Sequence, residues 1–171
     1  MIKKLLIANR GEIAVRVMRT AKEMGISTVA VYSDQDRNSL HVRLADEAYA
    51  LGGNTSAESY LNTDEILKVI EKANIDAVHP GYGFYSENSD FAQKLIDSNV
   101  IWVGPDPSAI ESMGDKISAR EVAKKANVSM VPGTDTPILQ VSEITEFGDK
   151  YGYPIAIKAA YGGGGRGMRV V

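Results

Sequence analysis

"KLLIANRGEIAVRVMRTAKEMGI", residues 4–26, decides the fold. Leu5, Leu6, Ile7 and Ala8 form a short unbroken apolar run, the pattern of a strand buried on both faces of a parallel sheet. Asn9, Arg10 and Gly11 interrupt it. Beyond them Ile13, Ala14, Val17, Met18, Ala21 and Met24 recur at helical spacing, and Gly25 stands where a C-terminal cap belongs. Strand, tight turn and helix in this order predict the first unit of an α/β domain. Lys3 and Lys4 ahead of an apolar run look like a secretory signal. The run is too short for one, however, and is cut by Asn9, Arg10 and Glu12, so it is read as a buried strand.

The alternation continues outward. "STVAVYS" is a second strand and "AYAL" a third. "TDEILKVIEKANI" is a helix with Thr63 as its expected N-cap and Ile66, Leu67 and Ile70 facing inward. "DAVHP" is a strand, "SDFAQKLIDSN" a helix and "IWVG" a strand. Strands alternating with helices predict a doubly wound, Rossmann-like parallel sheet over residues 1–105. After Gly104 the rhythm changes. "PDPSAIESMG" and "DKISAREVAKKANV" are two helical stretches. "VSEITEFGDKYG" is a third, with Ser142 as its expected N-cap. "YPIAIKAAYG" and "MRVV" are strands around a glycine loop, a hairpin pattern. A second module is therefore expected over residues 106–171. It looks incomplete, because a hairpin with few helices rarely holds a core of its own.

Composition removes several function classes. The 171 residues are 44% hydrophobic and 24% charged, with a formal net charge of −3 and no cysteine. Disulfides, thiolate catalysis and cysteine-ligated zinc are excluded. The acidic balance argues against a nucleic-acid surface, and no apolar stretch approaches the ~20 residues of a membrane span. A reduced, cytoplasmic setting is compatible with the lack of cysteine. His41 and His79 are the only imidazoles and lie far apart in sequence. His79 is read as structural at a strand end, and His41 has no constellation around it. Arg19 and Glu23, four apart on the first helix, read as a surface ion pair.

The glycine loop at residues 162–167 allows three readings. Gly162, Gly164 and Gly167 fit G-x-G-x-x-G, but that fingerprint needs a helix after it and Met168 to Val171 read as strand. A Walker loop fails because no Lys-Ser or Lys-Thr follows Gly167. A hairpin flap remains: glycine backbone can fold over a polyphosphate, with Arg166 and Lys158 supplying charge. A merely flexible turn is the competing reading. "HPGYG" at residues 79–83 is by composition a βα turn, yet the carboxyl end of a parallel strand is also where open sheets place ligands.

Six segments in register, residues 4–26, "ADEAYALG", "HPGYGFYSEN", "IWVGP", "MGDKISAR" and "YPIAIKAAYGGGGRGMRVV", resemble the N-terminal part of biotin carboxylases. These are the ATP-grasp subunits or domains of acetyl-CoA, propionyl-CoA and pyruvate carboxylases, and the likeness spans the chain. It implies a doubly wound domain followed by an incomplete ATP-grasp module. It implies ATP, Mg²⁺, bicarbonate and carrier-bound biotin as reactants and cofactors. In that family bicarbonate attacks the γ-phosphate of ATP to give carboxyphosphate, and the carboxyl group passes to a biotin ureido nitrogen.

By motif, the resemblance assigns Lys116 and Lys158 to ATP, and Gly164, Gly165 and Arg166 to the phosphate-covering lid. It places Tyr82, Gly83 and Glu87 at the biotin and bicarbonate pocket. It makes Arg19 and Glu23 a homodimer contact. Metal ligands are assigned to no residue here, and in the family they lie beyond Val171. It implies a biotin carboxyl carrier and a carboxyltransferase as partners, with fatty acid synthesis as one setting, and a chain inactive when alone. The alternatives are a stand-alone nucleotide-binding or dimerisation module and another ATP-grasp ligase. The acyl acceptor is not specified by these residues.

Overall fold

In the computed structural model the described residues are 1–114, 116–159 and 167–171, with the side chain of Lys116 left aside. They form two units, residues 1–110 and 111–171.

The first unit is built on alternating side chains of short, apolar strands. β1 (Lys4–Ile7), β2 (Ser27–Tyr32), β3 (Glu47–Ala50), β4 (Ala77–His79) and β5 (Ile101–Trp102) form one sheet in the order β3-β2-β1-β4-β5. Every pairing is parallel. Leu5, Ile7, Ala30 and Ala77 face one side, where α1 (Gly11–Glu23) supplies Ala14, Met18 and Ala21. Leu6, Val29, Val31 and Val78 face the other, where α3 (Thr63–Ala73) and α4 (Ser89–Asp97) supply Ile66, Ile70, Phe91 and Leu95. The short α2 (Leu40–Leu44) follows a 3-10 turn at Asp34–Asp36. Neither was foreseen, since a five-residue helix has too few turns to show a period.

Phe91 anchors the larger core. It is 2% exposed, stacks on Tyr85 at 3.9 Å between centroids and meets Trp102 edge-on at 6.1 Å. Burial of such a ring is worth ~2–3 kcal/mol.

Two N-cap expectations need correction, and the apolar stripe of α1 is only partly covered. α3 is capped by Asn62, whose side chain accepts the Glu65 N–H, while the Thr63 hydroxyl lies 2.7 Å from that of Tyr85. On α1, Ile13 and Val17 are half-buried and Met24 is 69% exposed, whereas Val15 is buried. The apolar stripe is wider than the face the sheet covers. α7 (Val141–Tyr151) starts after Gln140, which makes no side-chain cap bond, so Ser142 is inside the helix.

The second unit begins within α5 (Pro107–Gly114) and holds its second half, then α6 (Lys116–Lys125) and α7. β6 (Ala156–Ile157) and β7 (Arg169–Val170) pair antiparallel, as a hairpin requires. The backbone bonds between Ile155 and Val171 extend that ladder.

Candidate functional site

The strand order reverses at β1. The chain runs from β1 to β2 on one side, and β4 enters on the other. The loops leaving the carboxyl ends of β1 and β4 therefore diverge and open a crevice, the place where parallel sheets receive ligands. The β1 loop brings Asn9 and Arg10; the β4 loop brings Gly81, Tyr82, Gly83 and Phe84.

The β4 loop is a tight left-handed turn. Gly81 and Gly83 have φ of 66° and 67°, and Phe84, which is not glycine, has φ of 46°. A side chain at such a φ costs ~1–2 kcal/mol. The Phe84 ring compensates by stacking on Tyr60, 5.2 Å between centroids. His79 accepts the Gly81 N–H through Nδ1 at 3.0 Å, and burial lowers its pKa. Tyr82 is left 79% exposed at the mouth. Glu87 is exposed just before α4. Tyr82 and His79 also border a groove of about 570 Å³ with Ile13, Val17 and Val103 on its floor and Arg16 on its rim. The groove lies where α1 leaves the β4–β5 side of the sheet uncovered.

The other half of the crevice is filled by the protein itself. Arg10 donates to both oxygens of Asp36, Nε at 2.5 Å and an Nη at 2.6 Å. The Tyr60 hydroxyl donates to the same carboxylate at 2.6 Å and Ser39 at 3.1 Å. The Arg10 guanidinium holds the Asp36 carboxyl well below the usual carboxylate range. A dinucleotide-binding sheet offers an acidic side chain after the second strand to the ribose hydroxyls. Asp36 occupies that region, but it is 6% exposed and its oxygens are engaged.

His41 corrects a sequence expectation, for it does have a constellation. It is fully buried beside this network, with the Gly11 N–H 3.4 Å from Nδ1 and the Val31 carbonyl 3.3 Å from Nε2. A carbonyl only accepts, so the proton sits on Nε2 and the ring is neutral. Burial lowers its pKa.

The residues assigned to ATP divide differently. Lys158 is exposed, directly after β6. The backbone of Lys116 opens α6. Gly164, Gly165 and Arg166 lie outside the described residues. Among the described residues, no group of three or more histidines and carboxylates could hold a metal ion, so none is assigned to Mg²⁺. Arg19 and Glu23 are both exposed on α1, and no ion pair joins them. Arginine N-terminal to glutamate is the weaker order of an i,i+4 pair. Sequence reasoning missed Asn9 and the Arg10–Asp36–Tyr60 network. Their one signal was a polar pair closing a buried strand.

The family described as "Biotin carboxylase, N-terminal domain" matches residues 1–110. "Carbamoyl-phosphate synthase L chain, ATP binding domain" matches residues 115–171. The chain is 54% identical over 169 residues to the biotin-dependent acyl-coenzyme A carboxylase alpha3 subunit of Mycobacterium leprae, covering 99% of this chain and 28% of that protein. It is 55% identical over 171 residues to human mitochondrial pyruvate carboxylase, covering 99% of this chain and 14% of that one. It thus spans little more than a quarter, or less, of these relatives.

Among solved structures, the biotin carboxylase of Campylobacter jejuni, in complex with β,γ-ATP, superposes with a TM-score of 0.92 at 44% identity. The match covers 100% of this chain and 38% of that one. The biotin carboxylase domain dimer of Hydrogenobacter thermophilus 2-oxoglutarate carboxylase, holding MgADP, ADP and bicarbonate, gives 0.89 at 45%, over 99% and 37%. The switch-point sheet, its exposed Tyr82 turn and these matches lead to one conclusion: the chain belongs to the biotin carboxylase family, with residues 1–110 its N-terminal domain and residues 115–171 in the ATP-binding domain that follows.

Proposed function

We propose that this chain serves the ATP-dependent carboxylation of biotin in a biotin-dependent carboxylase. The observation that carries the reading is Tyr82, held exposed on a left-handed turn at the switch point of a sheet of this family. Tyr82, Gly83 and Glu87 border the biotin and bicarbonate pocket. Lys116 and Lys158 contact ATP, and Gly164, Gly165 and Arg166 cover its phosphates. Magnesium bound to ATP would neutralise charge on the phosphates; no described residue is assigned to it. Biotin arrives on a carrier protein or domain, and a carboxyltransferase takes the carboxyl group onward.

Two finer readings accompany this one. The exposed Arg19 and Glu23 on α1 form part of a homodimer contact. Among the described residues no helix is long and apolar enough to cross a membrane, which is compatible with a cytoplasmic enzyme.

Lys158 provides the test. A lysine–phosphate contact is worth about 1.5–3 kcal/mol. In the intact carboxylase Lys158→Gln is expected to raise the KM for ATP, or lower kcat, roughly 10- to 150-fold. Phosphate release with bicarbonate and biotin present measures it, with circular dichroism as the folding control. An unchanged ATP dependence in a folded variant removes Lys158 from the site.

A further inference from the structure

Tyr82 makes no hydrogen bond through its hydroxyl among the described residues and is 79% exposed. With so little burial and no hydroxyl bond, the ring depends on the backbone of the turn for its placement. Besides the bond from the Gly81 N–H to His79, that backbone is held by one buried side-chain amide. Asn9 is 1% exposed, and its Nδ2 donates to the Pro80 carbonyl at 2.7 Å and to the Tyr82 carbonyl at 2.8 Å. Its Oδ1 accepts the Arg10 N–H at 2.9 Å, which fixes the amide's orientation. Both N–H donors are used, and they clasp the carbonyls on either side of Gly81.

The fit leaves no slack. A Cβ at Gly81 would stand 2.7 Å from Asn9 Nδ2 and 2.8 Å from Ile13 Cγ2. The far end of the turn is held through the next residue of the same loop. Arg10 grips Asp36, Asp36 binds Tyr60, and Tyr60 stacks on Phe84. Two successive residues of the β1 loop thus govern both ends of the β4 turn, and Asn9 acts on the end nearest Tyr82.

We propose that Asn9 is the positioning residue of the Tyr82 site: its amide sets the Gly81–Gly83 backbone so that the Tyr82 ring stands at the crevice mouth to meet biotin. The biotin part rests on the function proposed above; the clasp on the turn does not.

Asn9→Asp tests it. The change conserves shape but sets carboxylate oxygens against two carbonyl oxygens that cannot donate. In the intact carboxylase, steady-state kinetics should show the KM for free biotin rising about tenfold or more, as loss of two neutral hydrogen bonds allows. The KM for ATP should stay unchanged. Gly81→Ala, which presses on the same amide from the turn, should give the same split. An equal rise in both KM values, or no rise in either, overturns the positioning role.

Should Asn9→Asp fail to fold, Asn9→Ser, which keeps one donor in less space, takes its place under the same criteria. If the wild-type enzyme shows no dependence on biotin, the biotin reading fails, and amide exchange in the 171-residue chain still judges the clasp. Faster exchange at Gly81 and Ser86 in the variant, with Leu95 unchanged, supports it. Unchanged exchange at all three overturns it.

Discussion

Asp36 and His41 show how closely the polar residues around the crevice are committed. The Asp36 carboxylate is held by a guanidinium, a phenol and a hydroxyl. His41 is neutral because burial outweighs the help that its proton receives from the Val31 carbonyl and from Asp36, while Arg10 adds to the opposition. With its pKa below the ordinary 6.5, the unfolded chain takes up the proton more readily. The stability contributed by neutral His41 is therefore complete above about pH 6.5 and declines as the pH falls below it. Thermal melting of the wild type is expected to weaken from pH 7 to pH 5, and His41→Gln to show a shallower decline. His79, also lowered by burial, is the same in both proteins and drops out of the comparison. Equal declines would mean that His41 keeps its proton equilibrium on folding. None of this was legible in the sequence, because the partners of His41 are Gly11 and Val31, thirty and ten residues away. The spacing of a buried tie carries no local period. Tyr82 was legible only through the family resemblance, since its turn is as well explained by glycines alone.

The elements were more readable than their ends. The apolar strands of the first unit and the periodic helices α1, α3 and α4 follow from pattern, because burial on one face or two imposes a period. The caps did not follow. Thr63 and Asn62 are both good N-caps, and the choice fell to Asn62 because the Thr63 hydroxyl meets Tyr85. α4 carries an equivalent asparagine: Asn88 accepts the Phe91 N–H at 2.7 Å, at the end of the segment that bears Tyr82 and Glu87. Asn88→Ala is expected to cost about 1 kcal/mol, read as a lower urea midpoint with an unchanged slope. A midpoint equal to that of the wild type would show that the cap bond is replaced by water at no cost. On α1, hydrophobic spacing cannot tell a covered face from an uncovered one: Ile13, Val17 and Met24 line the open groove, although Val17 also packs against the core that Ala14, Met18 and Ala21 share with the sheet.

At the scale of the whole molecule, chain order and chemistry converge. A parallel sheet whose strand order reverses at β1 places the β1 and β4 loops at one crevice. The half after β2 is closed by Arg10 and Asp36, which leaves the Tyr82 side as the open one. The second unit carries the hairpin strands that frame the glycine loop, with Lys158 exposed beside β6. On the function proposed above, these parts serve transfer of a carboxyl group from bicarbonate to biotin at the expense of ATP. The most direct measurement is the fixation of carbon-labelled bicarbonate onto free biotin by the intact carboxylase. Acid-labile label on biotin that requires ATP and falls sharply with Lys158→Gln is expected. Splitting of ATP that needs neither bicarbonate nor biotin, with no label on biotin, would contradict that function.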